Sequence, residues 1–365
     1  MFDPEIWARV PFHFWSVVFF AFGSVVGSFL NVCIHRMPRN ESIVSPPSHC
    51  PHCKYSIPWF LNVPLVTWLY LRGKCANCRA PISIRYFLVE LLTGVLFLAC
   101  WLKFGEQSAL LALAYCILLA GFVVATFIDF EHFIIPDEIT LGGIAVGIVV
   151  SFFVPELHGE KLISKGMQQG VLGAIVGGGM IYAVLRGGKL LFGKLKIKLE
   201  PKTKVFFTET DLVLPEGLYP YEEIFYRDSD VITMQAKQIE VIDRCYLEAT
   251  VRLTPKQLTI GEETFDPEQV KHMEAIADDL TLPREAMGFG DVKFMAAIGA
   301  FLGWQATVFS LMASSVVGTL FVAVLALRGK LKSGRIYFGP FIAVGATVWI
   351  FFGREIMDWW LGRLQ

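Results

Sequence analysis

Four of the eight cysteines in this 365-residue chain fall in two pairs, Cys50-Pro51-His52-Cys53 and Cys75-Ala76-Asn77-Cys78. Two CxxC pairs about twenty residues apart have the spacing of a tetrahedral metal site with four thiolate ligands. In each pair backbone N–H groups can point at sulfur, and the intervening segment lets the two turns close around one ion. Zinc suits such a site because it is borderline-soft and needs no redox chemistry. Four protein ligands leave no open position, so the metal is expected to be structural. Reduced thiols, two bridges, or His49 or His52 as a substitute ligand are the competing readings; a cytoplasmic setting disfavours bridges. Cys33, Cys100, Cys116 and Cys245 are scattered and read as small apolar residues.

Two aspartates form the second constellation. Asp129 lies in Thr126-Phe127-Ile128-Asp129-Phe130-Glu131-His132, ahead of Ile134-Ile135-Pro136-Asp137, and Asp291 lies in Gly288-Phe289-Gly290-Asp291-Val292-Lys293. Each sits at the edge of an apolar run. An Asp at the centre of a bilayer costs about 2.5–3.5 kcal/mol, so an acid in such a run points to function. For Asp291, helix N-capping is an adequate alternative. Asp129 reads as the C-terminal end of a helix, where the dipole opposes a negative charge and that alternative weakens. Two close carboxyls cannot both ionise cheaply and would share a proton. The ionised member can take a proton from water while the protonated one polarises a peptide carbonyl. This is peptide hydrolysis without a covalent intermediate. Gly288 and Gly290 would let a substrate strand approach the backbone. All of this requires two helices, distant in the chain, to be neighbours.

The scaffold that must position these groups is a membrane bundle. Hydrophobic residues make up 54% of the chain and charged residues 18%, with 31 Phe, against about 45–50% and about 25% in soluble domains. Apolar runs at residues 12–34, 86–102, 108–128, 139–154, 170–185, 292–302, 306–327 and 341–352 read as about eight transmembrane helices. The expected fold class is an all-α polytopic membrane protein. Such solid runs are not the weak alternation of a membrane barrel, and they exclude a soluble enzyme or a disordered scaffold. The net charge of −1 carries no argument about nucleic acid. Gly23, Gly27, Gly142, Gly143, Gly147, Gly173, Gly177, Gly178 and Gly179 read as close-packing positions between helices.

Basic residues orient the bundle. Arg36, Arg39, Lys54, Arg72, Lys74, Arg79 and Arg85 follow the first run against the single acid Glu41, and Arg328, Lys330, Lys332 and Arg335 precede the last run without an acid. Both loops are expected in the cytoplasm, which also places residues 129–138 and 187–288 there. The chain opens with the acids Asp3 and Glu5, not with the bases of a cleavable signal. The expected division is a first helix over 1–34, a cytoplasmic zinc-ribbon-like loop over 35–85, helices over 86–186, an inserted domain over 187–287, and closing helices over 288–365. Bases near Tyr55, Trp59 and Trp68 admit a nucleic-acid reading of the loop, but topology and anionic lipid already explain them; no nucleic acid is expected. The insert begins with Lys189, Lys194, Lys196, Lys198, Lys202 and Lys204 and then turns acidic. Cys245, Leu247, Ala249, Val251 and Leu253 alternate with Tyr246, Glu248, Thr250 and Arg252, a half-buried strand pattern. With 205–214 and 257–260 this predicts a small β-rich domain, closed by a helix near 267–280.

The ordered motifs resemble the type IV prepilin peptidases, bifunctional leader peptidase/N-methyltransferases of bacterial inner membranes with a GxGD-type aspartyl site. The resemblance runs through Gly27-Ser28-Phe29-Leu30-Asn31-Val32, His35-Arg36-Met37-Pro38, the CxxC pairs, Ile82-Ser83-Ile84-Arg85-Tyr86, Val89-Glu90-Leu91-Leu92-Thr93-Gly94, both aspartate blocks, and Phe338-Gly339-Pro340-Phe341. It implies cleavage of a short basic leader from prepilins or pseudopilins after a Gly at the cytoplasmic face. Methylation of the new N-terminus with S-adenosylmethionine would follow. It carries over Asp129 and Asp291 as the catalytic pair, Gly288, Gly290 and Lys293 as their motif, and Cys50, Cys53, Cys75 and Cys78 as zinc ligands. Glu131, Asp137 and Glu138 would attract the leader. Arg36, Arg85 and Glu90 are the candidates for the methyl-transfer site, with Glu90 packing against Arg85 as the plainer account. Tyr337 replaces the Pro that usually precedes the late block, and the insert replaces a short loop. That insert would gate the site, dock pilus or secretion assembly proteins, or be an inert addition. Two other readings are a proton-coupled transporter using Asp129 and Asp291, and a zinc-ribbon membrane anchor without activity.

Overall fold

The computed structural model describes residues 11–361 apart from 201–202, 216, 226–227, 229, 242–243, 284–286 and 330–336. Asp3, Glu5, Lys202, Lys330, Lys332 and Arg335 therefore lie outside the described residues. The apolar runs become α1 (Phe12–Arg36), α2 (Ile84–Phe104), α3 (Ala109–His132), α4 (Asp137–Phe153), α5 (Ile163–Phe192), α6 (Phe289–Leu327) and α7 (Gly339–Leu361). The starts of α2 and α3 are set by capping. Ser83 and Ser108 accept the N–H of Arg85 and Leu111 through their side chains, satisfying donors that the helix leaves free. Helix α5 begins at Ile163, seven residues ahead of the expected 170–185 run. Among the described residues five helices are long and apolar enough to cross a bilayer, namely Phe12–Arg39, Ile84–Phe104, Ala109–His132, Ile163–Leu191 and Phe289–Leu327, with Gly339–Gly353 a shorter apolar helix. The chain is a helical membrane protein.

Helix α6 is not one rod. Gly303 inside it has φ 80° and ψ 175°, a conformation outside the helix. A Cβ added to Gly299 would lie 3.0 Å from Thr307 Cγ2, yet eight residues of straight helix rise about 12 Å. The chain therefore doubles back at Gly303, and the two expected runs, 292–302 and 306–327, are the arms of a helical hairpin. Small residues let the bundle close. A Cβ on Gly27 of α1 would sit 2.8 Å from Glu90 Cα of α2, and Gly173 of α5 meets the backbone of Gly299 of α6 directly. Gly142 and Gly179 have nothing within 4 Å, so at those two positions packing does not demand glycine. Leu30, Cys33 and Ile34 of α1, Val89 of α2, and Val123, Val124 and Ile128 of α3 form a buried cluster at the end of the bundle that carries Asp129.

The chain divides into one compact unit of residues 1–182 with 289–365 and a second of residues 183–288. The second unit is a sheet of nine strands: β1 (Lys194–Lys198), β2 (Lys204–Thr208), β3 (Asp211–Leu214), β4 (Gly217–Pro220), β5 (Ile232–Val241), β6 (Arg244–Leu253), β7 (Leu258–Ile260), β8 (Glu263–Phe265) and β9 (His272–Pro283). Their order is β4-β3-β2-β9-β5-β6-β7-β8, with β1 also on β9. The helix expected near 267–280 is absent. Only the short turn Pro267–Gln269 is helical, and β9 takes its place, hydrogen-bonded to β1, β2 and β5. Met, Glu, Ala and Leu favour a helix locally, but pairing on both sides and period-two burial of Met273, Ala275 and Ala277 override that preference. The expected β segment at 205–214 is a hairpin of β2 and β3. On β6 the expected alternation holds at Val251 and Leu253, while Cys245 and Leu247 are exposed. Cys245 thus departs from the apolar reading that holds for buried Cys33, Cys100 and Cys116.

Candidate functional site

The two CxxC segments fold as copies of one turn. The N–H of Cys50 donates to Tyr55 O, that of Lys54 to Cys50 O, and that of Ile57 to Ser48 O. In the second copy the N–H of Cys75 donates to Ala80 O, that of Arg79 to Cys75 O, and that of Ile82 to Gly73 O. Lys54 and Arg79 both take positive φ, 58° and 62°, and His49 bridges Ser56 as Lys74 bridges Pro81. These repeated turns bring the four Sγ atoms within 4.8 Å of one another, with Cys50 to Cys78 at 3.8 Å and Cys53 to Cys75 at 4.0 Å. A tetrahedral ion with bonds of about 2.3 Å requires sulfur pairs about 3.8 Å apart. The backbone N–H of Tyr55 draws the Cys53 thiol down to about 6, and those of Cys78 and Asn77 lower Cys75. Cys78 goes the other way: the Ala80 N–H lowers it, but desolvation and the three neighbouring sulfurs outweigh that and push it up to about 11. It is the spacing of the four sulfurs that suits a metal ion. His49 donates its Nδ1–H to Pro47 O at 2.9 Å.

Asp129 and Asp291 are both buried, at 6% and 8% exposure. Asp129 stands in the last turn of α3, and Asp291 in the first turn of α6. Phe122 of α3 meets Phe294 of α6 edge-to-face at 5.6 Å, so these helices are neighbours. Ile135 lies between the two acid-bearing ends. Its Cβ would be 3.5 Å from a Cβ on Gly290, and its Cδ1 3.0 Å from one on Gly339. Gly339, opening α7, donates its N–H to Asp129 Oδ2 at 3.2 Å. The ends of α3, α6 and α7 thus meet at one end of the bundle. The Gly290 contact is an ordinary one, so packing alone does not require glycine there, and Gly288 is exposed. Lys293 is ion-paired with Asp137 and lies 5.5 Å from the Phe289 ring centre. Glu131 is ion-paired with Arg85. Of the acids expected to attract a leader, Glu131 and Asp137 are therefore already neutralised by bases.

Arg36, Arg85 and Glu90 serve three different partners. Arg36 donates to the carbonyls of Ser42 and Pro46 at 2.9 and 2.8 Å, tying down the segment after α1. Glu90 Oε2 accepts the N–H of Leu65 at 2.7 Å and so holds a residue with φ 62°. Glu90 does not pair with Arg85, whose partner is Glu131. Arg36 and Glu90 thus hold the segment between α1 and α2, while Arg85 ties α2 to the end of α3. Two contributors to this end of the molecule were not apparent from sequence. Asn31, 1% exposed, donates to Tyr86 O at 3.1 Å and Gly27 O at 3.3 Å, and the Gly339 amide reaches Asp129 across 210 residues. A buried amide in an apolar helix was a usable signal for the first; nothing local marked the second.

Two family models match the chain. Bacterial Peptidase A24 N-terminal domain covers residues 21–104, and Type IV leader peptidase family covers residues 116–198 and 275–323. The chain belongs to the type IV leader peptidase family. It is accordingly an enzyme, and the gap in the second match falls within the sheet unit. Proteins named prepilin leader peptidase/N-methyltransferase are similar over different lengths. That of Aeromonas hydrophila is 28% identical over 98% of this chain and 97% of its own. That of Myxococcus xanthus is 46% identical over 38% of this chain and 40% of its own, and that of Neisseria gonorrhoeae 37% identical over 47% and 65%. No solved structure matches the chain.

Proposed function

We propose that the chain cleaves the basic leader of type IV prepilins or pseudopilins after a Gly, at the cytoplasmic face of the bacterial inner membrane, and then N-methylates the new terminus. What supports the peptidase reading most is the meeting of α3, α6 and α7 around Ile135, with two buried aspartates at that end. In this reading Asp129 and Asp291 share one proton. The ionised carboxylate accepts a proton from the attacking water, and the protonated one donates to the scissile carbonyl oxygen. The protonation states then exchange as the tetrahedral intermediate collapses and the leaving amine takes up a proton. Glycine at 288 and 290 leaves backbone open to an extended strand of substrate.

The hairpin at Gly303 is in keeping with a topology of eight crossings, since it divides α6 into two apolar arms. In that topology Arg36, the CxxC loop and both aspartates would face the cytoplasm, as the basic residues of the short loops suggest. Cys50, Cys53, Cys75 and Cys78 would hold one structural zinc, which neutralises the thiolates and locks the two turns together. S-adenosylmethionine would supply the methyl group, next to the loop that Arg36 and Glu90 fix. Both acids stand at helix ends, not in a broken mid-membrane helix, which disfavours proton-coupled transport.

The test is purified protein with a full-length prepilin and S-adenosylmethionine, read by mass spectrometry of the product N-terminus. Asp129→Asn and Asp291→Asn should each abolish cleavage while the protein remains inserted and folded. Cleavage near the parent rate by both variants would remove the dyad.

A further inference from the structure

We propose that Tyr337 and Phe133 are positioning residues for Asp129, seating the start of α7 so that the Gly339 N–H stays on the Asp129 carboxylate. This rests on the reading of Asp129 given above. Helix α3 ends in an unusual way for an aromatic residue. Phe133 takes φ 56° and ψ 29°, a left-handed cap whose N–H closes on Asp129 O at 2.9 Å. Its ring lies nearly parallel to Tyr337, with centres 4.2 Å apart and planes at 20°. Phe130, one residue beyond Asp129, meets the same Tyr337 ring edge-on at 5.3 Å. Tyr337 is thus clamped by the turn of α3 that carries Asp129.

Two residues of chain reach no more than about 7 Å, so fixing Tyr337 fixes Gly339. The intervening Phe338 carbonyl accepts the N–H groups of Phe341 and Ile342, both at 3.1 Å, which continues the constraint into the first turn of α7. The Gly339 amide is one of the donors that a helix start leaves without an internal partner, and Asp129 Oδ2 takes it at 3.2 Å. A Cβ here would stand 2.8 Å from that oxygen and 3.0 Å from Ile135 Cδ1. The approach therefore needs glycine and also needs α7 to begin where the aromatic stack places it. With Oδ2 engaged by the amide, Oδ1 is the oxygen left to carry the proton shared with Asp291.

The experiment compares Tyr337→Ala, Tyr337→Phe and Phe133→Gly in the purified full chain, with kcat and KM measured on a full-length prepilin. Tyr337→Ala and Phe133→Gly should lower kcat roughly ten- to hundredfold, the scale of small misplacements of a reacting group, with KM unchanged. Tyr337→Phe should keep the parent kcat, because the stack needs the ring and not the hydroxyl. Phe133→Gly removes the ring while relieving the left-handed backbone, so it remains decisive if Tyr337→Ala does not fold. Parent kcat in the ring-less variants, a loss confined to KM, or a Tyr337→Phe variant as impaired as Tyr337→Ala would each overturn the proposal. Asp129→Asn run alongside separates the two levels. If it cleaves normally, the reading of Asp129 falls; if it is inactive while the ring-less variants are normal, only the positioning role falls.

Discussion

Gly339 shows how much of this site depends on a single missing atom. Its amide reaches Asp129 because no Cβ stands in the way, and Gly339→Ala should cut cleavage at least about tenfold without preventing membrane insertion, as peptide-release assays on solubilised protein would show. Glu90 makes a different kind of contribution. Its carboxylate holds the N–H of Leu65 in a backbone conformation that a branched side chain resists, at a typical strain of about 1–3 kcal/mol. Glu90→Ala should therefore loosen the 35–83 segment and increase its cutting by added protease, while Glu90→Gln, which keeps an acceptor oxygen, should not. Equal cutting in both variants would count against the tether. Asp129 and the four cysteines could be picked out from sequence because their residue types are expensive or rare where they stand. The Leu65 and Gly339 amides could not, since every residue but proline has one.

At the scale of elements, the paired CxxC turns act as one unit. Their matched hydrogen bonds bring four sulfurs together, so one zinc per chain is expected by elemental analysis, falling to near zero in Cys53→Ser or Cys75→Ser. The turn between α4 and α5 offers a separate test. Ser151 donates to Ala300 O at 2.9 Å, so the His158 Nε2–H donates to Ser151 Oγ at 2.8 Å. Burial pushes His158 down to about 4 from 6.5, so the unfolded chain holds the extra proton between those values. Stability is whole above about 6.5 and is lost as pH falls towards 4, by at most about 3 kcal/mol. Thermal unfolding from pH 7 to 5 should show this decline, and His158→Gln should flatten it. The sequence marked the paired CxxC turns through their spacing, but not the His158 contact. Each CxxC pair is followed by a base, Lys54 or Arg79, and then by Ile57 or Ile82, whereas the Ser151–Ala300 contact depends on α4 packing against the first arm of α6, which no local run of residues announces.

For the whole molecule, the sheet unit enters and leaves through adjacent strands. Lys194 on β1 is the cross-strand partner of Pro283 on β9, which places the ends of the insert side by side. Replacing residues 195–282 by a short glycine linker should leave a membrane unit that still inserts and cleaves near the parent rate, as a prepilin assay would show. Loss of cleavage in a folded deletion variant would instead assign the sheet a part in the reaction.

The chain's own residues determined the apolar runs, the four-thiolate set, the two costly aspartates and the order of motifs, because burial cost and metal chemistry are properties of residue type and spacing. Tertiary structure decided that α6 turns back at Gly303 and that residues 272–283 form a strand, because pairing and packing energies outweigh local preference. It also decided that an amide from α7 attends Asp129. That last contact depends on three helix ends meeting, which no local run of residues specifies.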